Sequence, residues 1–181
     1  MEAAVAYYKS TGKKKLLHIV ERFAQLICDE FSTRKNALGY PGHQEVEIGL
    51  FKLYEVTKDV KYLEQAKMFL DRRGGLPNYF IEEMKGGKFK RIFNELNNYD
   101  VAYSQSHLPI REQTTAEGHA VRAVYMFSAM ADVAAEYDDK ELLNDCEILW
   151  NNITEKRMYI TGSIGSSGIL ERFTTDYDLP N

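Results

Sequence analysis

Apolar residues recur at helical spacing along five long stretches of the chain, and no stretch shows a convincing two-residue alternation. Leu16, Ile19, Val20, Phe23 and Ile27 share a face of the first of these. Val46, Gly49, Leu50, Leu53 and Tyr54 share a face of the second, and Leu63, Ala66, Phe69 and Leu70 of a third that opens near Lys61. Ala120, Val124, Phe127, Ala131 and Ala134 mark the fourth. Leu142, Cys146, Leu149, Trp150 and Ile153 mark the fifth. A shorter helix is expected from Glu2 to Ser10. The pattern predicts an all-α chain.

These helices come in pairs across short polar turns. Tyr8-Lys9-Ser10-Thr11-Gly12 leads into Leu16-Leu17, and Tyr54-Glu55-Val56-Thr57-Lys58 leads into Tyr62-Leu63. A weaker third copy runs from Val133-Ala134-Ala135-Glu136-Tyr137 into Leu142-Leu143. In each copy an apolar residue falls six positions after the aligned leucine: Phe23, Phe69 and Ile148. One helical hairpin cannot bury its own apolar face, so recurring hairpins imply a solenoid or a closed toroid. The copies stand about 46 and then about 79 residues apart, which disfavours a regular tetratricopeptide array with its period of about 34 residues.

The uneven spacing comes from an insert at about 74–118 within what reads as a single domain, 1–181. The insert holds an amphipathic stretch at Tyr79 to Met84, a turn at Gly86-Gly87 and a polar run Asn94-Glu95-Leu96-Asn97-Asn98. Loops of that length in compact domains are usually functional or disordered. A second irregular region begins at Tyr159 and carries Thr161-Gly162-Ser163-Ile164-Gly165-Ser166-Ser167-Gly168 ahead of an acidic-aromatic tail.

Composition narrows the function classes. Apolar residues make up 44%, charged 28% and aromatic 12% of the chain, a balance that excludes disorder and collagen-like repeats. The net charge is −4, so nothing electrostatic points to nucleic acid as a partner. No apolar run approaches the ~18 residues of a membrane span, and no membrane partner is expected. The opening residues lack a signal peptide's basic and apolar regions. Two cysteines, Cys28 and Cys146, lie inside helical patterns and read as small buried hydrophobes, which fits a reducing, cytoplasmic setting.

The candidate chemistry sits where the helices break. His43 follows Tyr40-Pro41-Gly42 and opens a helix with Glu45 and Glu47 in its first turn, where a carboxylate can orient the ring. His119 opens a helix after Glu117-Gly118. The plainer readings are a cap or surface residue for His43 and a packed, satisfied histidine for His119. His107 precedes a proline in an extended stretch, and His18 reads as solvent-facing. Glu171 follows the glycine-serine loop and precedes Arg172-Phe173. A carboxyl beside an aromatic ring in a partly dry pocket can act as a general acid near neutral pH; the plainer reading is an exposed glutamate. Asp176 and Asp178 lack the full calcium-loop pattern, the serine-glycine loop lacks a phosphate-binding ending, and the cysteines have no zinc-finger spacing.

Five stretches together carry a resemblance: Glu2-Ala3-Ala4-Val5-Ala6-Tyr7-Tyr8; Gly39-Tyr40-Pro41-Gly42-His43-Gln44-Glu45; Ser106-His107-Leu108-Pro109-Ile110-Arg111-Glu112-Gln113; Gly118-His119-Ala120-Val121-Arg122-Ala123; and Met158-Tyr159-Ile160-Thr161-Gly162, continuing to Asp176-Tyr177-Asp178-Leu179-Pro180-Asn181. In this order they resemble glycoside hydrolase family 127, the β-L-arabinofuranosidases. The resemblance implies part of an (α/α)6 barrel, a toroid of six helical hairpins. It also implies removal of terminal β-L-arabinofuranose with retention, by a zinc-bound cysteine nucleophile and a glutamate acid/base. By motif, Glu171 matches that acid/base, and His43 and His119 match sugar-binding histidines.

In the family the first zinc-ligating glutamate and cysteine follow the segment that matches Asn181, and the nucleophile lies further on. A histidine motif precedes the match to Met1. Neither Cys28 nor Cys146 matches a zinc-site position. The resemblance therefore implies about half a barrel and an incomplete active site, with zinc expected in the complete family member and none bound to this chain. An incomplete toroid leaves apolar helix faces open, so self-association is expected. The alternative is a non-catalytic helical module that binds carbohydrate or protein; an (α/α)6 epimerase or lyase would share the architecture without these motifs in this order.

Overall fold

The computed structural model describes residues 1–32, 38–85 and 99–180. Among the described residues seven α-helices follow in order: α1 Glu2–Thr11, α2 Lys15–Ser32, α3 Val46–Thr57, α4 Val60–Arg72, α5 Tyr79–Lys85, α6 Ala120–Tyr137 and α7 Lys140–Asn152. Short 3-10 turns at Val101–Ser104 and Ile110–Glu112 punctuate the insert, and a π turn at Ile153–Arg157 ends α7. Among the described residues there is no strand, only one antiparallel bridge between His119 and Arg172. No helix there is long and apolar enough to cross a membrane. The chain is all-α.

The hairpins are α1–α2, α3–α4 and α6–α7. Each first helix ends on a left-handed residue: Gly12 (φ 69°), Lys58 (φ 60°) and Asp138 (φ 52°). A left-handed residue reverses the chain after one step and returns its N–H to the helix's last carbonyls. In two hairpins an aspartate then caps the second helix: Asp59 accepts from the Lys61 N–H and Asp139 from the Leu142 N–H. The turns of the second and third hairpins are thus built alike.

Helices α1, α3 and α6 pack side by side as one layer, with α3 in the middle. Helix α4 lies against α3, α2 and α6, and α7 pairs with α6. The result is an arc of three hairpins. Its core has one cluster around Leu17, Leu50, Leu53, Tyr62 and Phe69, another around Met126, Met130, Val133, Leu142 and Leu149, and a third around Ala120, Ala123, Ile153 and Phe173.

The helices stand where the periodicity puts them, but the expected core face of α2 is wrong and that of α6 is right only in part. In α2 the buried residues are Leu17, Ala24 and Cys28, whereas Leu16, Ile19 and Phe23 remain 39%, 44% and 62% exposed. In α6 the expected Ala120 and Ala134 are buried, in company with Ala123, Met126, Met130 and Val133. Val124, Phe127 and Ala131 instead border a groove of about 530 Å3 with Trp150 and Ile153. Both helices carry two apolar faces, and a one-dimensional pattern cannot rank them. The buried face of α2 is the one with smaller side chains, which admits closer packing against α4.

The insert is fastened by buried side chains that satisfy its backbone. Asn78 donates to Ser106 O (2.9 Å), Gln44 to Ser104 O (2.9 Å) and Gln113 to Leu108 O (2.8 Å). Arg73 is fully buried and donates to Ser104 O (3.0 Å) and Pro41 O (2.7 Å), with the buried Glu47 carboxylate 3.7 Å away. Irregular backbone inside a domain needs such partners. They hold residues 99–118 against the N-terminal ends of α3 and α6. The expected amphipathic stretch is α5; the turn at Gly86-Gly87 and the run Asn94–Asn98 lie outside the described residues.

Candidate active site

His43 and His119 stand at the N-terminal ends of the neighbouring helices α3 and α6, so packing brings them to one end of the arc. Their ring centroids are 6.3 Å apart. His119 is the N-cap of α6: its Nδ1 accepts the Arg122 backbone N–H at 3.3 Å, the task usually done by Ser, Asp or Asn. The residue before it has to be glycine. Gly118 has φ +70°, and a Cβ there would lie 1.9 Å from Ala102 O.

Glu171 reaches the same place from far along the chain. The Phe173 N–H donates to Gly118 O (2.9 Å) and the Ala120 N–H to Glu171 O (2.9 Å), which lays residues 171–173 antiparallel to 118–120. Arg172 adds a charged bond to Asp100 (2.6 Å). Leu170 and Glu171 are both left-handed (φ 59° and 49°), a conformation that costs a non-glycine residue about 1 kcal/mol or more. With the backbone held this way, Glu171 Oε2 lies 3.0 Å from His119 Nε2, 52 residues distant in sequence.

Around this pair the walls are aromatic and basic. Tyr103 meets the His119 ring edge-on at 5.5 Å, and Tyr125 lies 5.8 Å from His43. Arg122 lies over the Tyr103 ring at 4.8 Å and donates to Gly42 O at 2.7 Å, which ties the His43 turn to α6. Burial, reinforced by the Arg122 charge, holds the His43 imidazole below its usual pKa, against a smaller opposing pull from Glu45. His43 is therefore neutral at neutral pH, able to donate from one nitrogen and accept at the other.

The dry aromatic pocket expected around Glu171 is not what surrounds it. The side chain is 76% exposed, because the left-handed backbone holds it at the rim while Phe173, two residues on, enters the core. Both nitrogens of His119 are already engaged. His107 is half-buried, and burial lowers its pKa against the opposing charges of Glu117 and Asp100. His18 is exposed, as its polar surroundings imply.

The residues present do not fit a zinc site. Among the described residues no group of three or more His, Cys, Asp or Glu side chains could hold a metal ion. Cys28 is buried on α2, and the half-buried Cys146 thiol on α7 is pushed up to about 11 by burial and then by Asp145, the wrong direction for a ligand or nucleophile. Asp176 accepts from Arg157 Nε (2.6 Å) and Asn152 Nδ2 (3.1 Å), so its carboxylate is committed to an internal ion pair.

Sequence reasoning missed Tyr103, Arg122 and Tyr125. Arg122 was within reach: a residue three positions after His119 at a helix start lies on the same face. Tyr103 belongs to irregular backbone whose path no periodicity reports, and Tyr125 reads as one more core aromatic.

Comparison with known proteins adds a pedigree to this geometry. The family model for the catalytic domain of β-L-arabinofuranosidases of glycoside hydrolase family 127 matches residues 1–181. A non-reducing end β-L-arabinofuranosidase of Bifidobacterium longum subsp. longum is 38% identical over 182 residues, covering 100% of this chain and 28% of that protein. The crystal structure of a family 127 β-L-arabinofuranosidase from Geobacillus stearothermophilus T6 superposes with a TM-score of 0.92 at 46% identity, over 99% of this chain and 28% of that one. A solved family 127 β-arabinofuranosidase gives a TM-score of 0.82 at 43% identity, over 99% of this chain and 25% of its own. The chain thus spans 25–28% of the length of these relatives.

Proposed function

Because the chain belongs to glycoside hydrolase family 127, the β-L-arabinofuranosidase family, we propose that it forms one side of the active site of an enzyme that hydrolyses terminal β-L-arabinofuranosides with retention. Glu171 is the acid/base. As the acid it gives a proton to the departing glycosidic oxygen; as the carboxylate it takes one from the attacking water. His43, neutral and at the same end of the arc, hydrogen-bonds a furanose hydroxyl. His119 bounds the sugar from the other side.

The observation that carries this reading is the 3.0 Å contact between His119 and Glu171 beside a second histidine ring. Chain segments remote from one another converge there on one end of the bundle. We assign zinc to the complete family member and not to this chain. We also propose that this polypeptide alone does not turn over: Cys28 belongs to the core cluster around Leu17 and the half-buried Cys146 to the one around Leu142, which leaves the site without a thiolate nucleophile. A cytoplasmic setting belongs to the same proposal and rests on the two unpaired thiols.

Two measurements test it. Methyl β-L-arabinofuranoside titrated into the labelled chain should shift the His43 ring resonances, and the same titration on His43→Ala should lose saturable binding. An aryl β-L-arabinofuranoside assay, with and without zinc, should show no turnover by this chain. Turnover would overturn the claim of inactivity, and an unperturbed His43 would overturn the sugar site. The second reading, a non-catalytic module, is favoured by the exposed apolar faces of α2 and of the α6–α7 groove. On either reading we propose that these faces draw copies of the chain together.

A further inference from the structure

The contacts of His119 fix more than its location. The Arg122 backbone N–H belongs to the first turn of α6, where no helical carbonyl is available to it, and it points at His119 Nδ1. Nδ1 must then be an acceptor. In a neutral imidazole the single ring proton consequently sits on Nε2. Nε2 lies 3.0 Å from Glu171 Oε2, so the bond runs from the histidine to the carboxyl oxygen. The ring is buried and is met edge-on by Tyr103, which opposes its rotation. Among the described residues the protein engages Oε2 of Glu171 by this bond and leaves Oε1 unengaged.

We propose that His119 is a positioning residue for Glu171: its Nε2–H occupies Oε2, so the transferable proton of the acid/base is carried on Oε1. This rests on the reading of Glu171 as the acid/base and changes what His119 does there. A protonated carboxyl can place its hydrogen on either oxygen, and only one placement aims it at a given leaving group. An Oε2 that already accepts a hydrogen bond from Nε2–H is a poor seat for a second hydrogen. Oε1 therefore holds the proton when Glu171 is the acid and takes one from water when it is the base. With both its nitrogens engaged, His119 also leaves the direct hydrogen bond to a sugar hydroxyl to His43.

The cap and the pin are separable by substitution. His119→Asn keeps a short side-chain oxygen for the Arg122 N–H but cannot reach Glu171. His119→Gln sacrifices the cap and keeps an amide donor long enough to reach it. The experiment is nuclear magnetic resonance on the full chain. Ring nitrogen shifts of wild-type His119 at neutral pH should report a protonated Nε2 and an accepting Nδ1; the opposite tautomer overturns the proposal without any variant.

Side-chain couplings of Glu171 should report one rotamer in wild type and in His119→Gln, and rotamer averaging in His119→Asn, whose Arg122 amide stays protected from exchange. A Glu171 that remains fixed in His119→Asn overturns the proposal. Arabinofuranoside titration separates this result from the sugar reading. A held Glu171 with no sugar-induced shift at His43 would end the reading of the site as arabinoside-binding while leaving the tautomer and the pinned oxygen as observed.

Discussion

Cys146 shows how much a single side chain's surroundings decide. A thiol acts as a nucleophile or metal ligand only as the thiolate, and burial beside Asp145 pushes its pKa up to about 11. At pH 8 the thiolate fraction is then on the order of 0.1%, against roughly a quarter for a free cysteine. Iodoacetamide should accordingly alkylate Cys146 in the folded chain at least ~100-fold more slowly than in urea, with Cys28 also slowed because burial raises its pKa too. Alkylation of the native protein at the unfolded rate would show that folding leaves the Cys146 thiol open to solvent and ionisable. At this scale His43, His119 and Glu171 were legible only as candidates, since each has a plainer local reading as a cap, a packed ring or an exposed carboxylate and the motif resemblance is what singles them out. Their mutual geometry was not legible. The pairing of His119 with Glu171 depends on backbone bonds between residues 118–120 and 171–173, and no local pattern encodes such a bridge.

Helix ends are where sequence and energetics agree best. The turn Tyr137-Asp138-Asp139 announces a stop and a restart, and the structure uses Asp138 as the left-handed residue and Asp139 as the cap of α7. Asp139 also receives the Arg111 guanidinium in a fork, at 2.5 and 3.3 Å, which joins the insert to the third hairpin. The Arg111 bond, with the Leu142 N–H adding to it, pulls the Asp139 carboxyl down to about 2. The unfolded chain, with the ordinary value near 4, takes up the proton first as pH falls. The stability tied to this group is therefore fully present above about pH 4 and lost as pH falls through about 2. Asp139→Ala should cost about 1 kcal/mol at pH 7, the usual worth of a cap, and clearly less at pH 2, where about half of the Asp139 carboxylates have taken up a proton. Asp139→Asn should keep the cap and lose the pH dependence. Urea midpoints at both pH values check this, and an equal loss at pH 7 and pH 2 would show that the charge plays no part. Helix positions were legible because periodicity is local; the choice of buried face in α2, and in part in α6, was not, because it depends on neighbours.

The three hairpin copies, compared position by position, show what the whole molecule lacks in neighbours. The aligned leucines Leu17, Leu63 and Leu142 are all buried, and so are Ala24, Leu70 and Leu149, seven positions on. The position between diverges: Phe69 in the central hairpin is 0% exposed, while Phe23 and Ile148 in the flanking hairpins are 62% and 37% exposed. Phe69 is covered because Phe31 of the adjoining hairpin meets its ring edge-on at 4.9 Å. Phe23 is the same position with no such helix against it among the described residues. It stands in a stripe with Leu16, Ile19 and Leu26, the last 58% exposed. Covering a phenylalanine or leucine is worth about 1.5–3 kcal/mol, so a stripe of this kind drives association when a matching helix face is available. A second copy offers one in the α6–α7 groove, where Trp150 is 67% exposed. Sedimentation velocity should therefore show concentration-dependent association of the wild-type chain. Phe23→Lys with Leu26→Lys should weaken it by roughly 10- to 100-fold, since each 1.4 kcal/mol is a factor of ten. Both residues are already largely solvent-exposed, so the double variant should keep the wild-type urea midpoint, which separates lost contact from lost folding. A wild-type chain that sediments as a monomer at high micromolar concentration would mean that the stripe stays wet and that copies of this chain do not cover it.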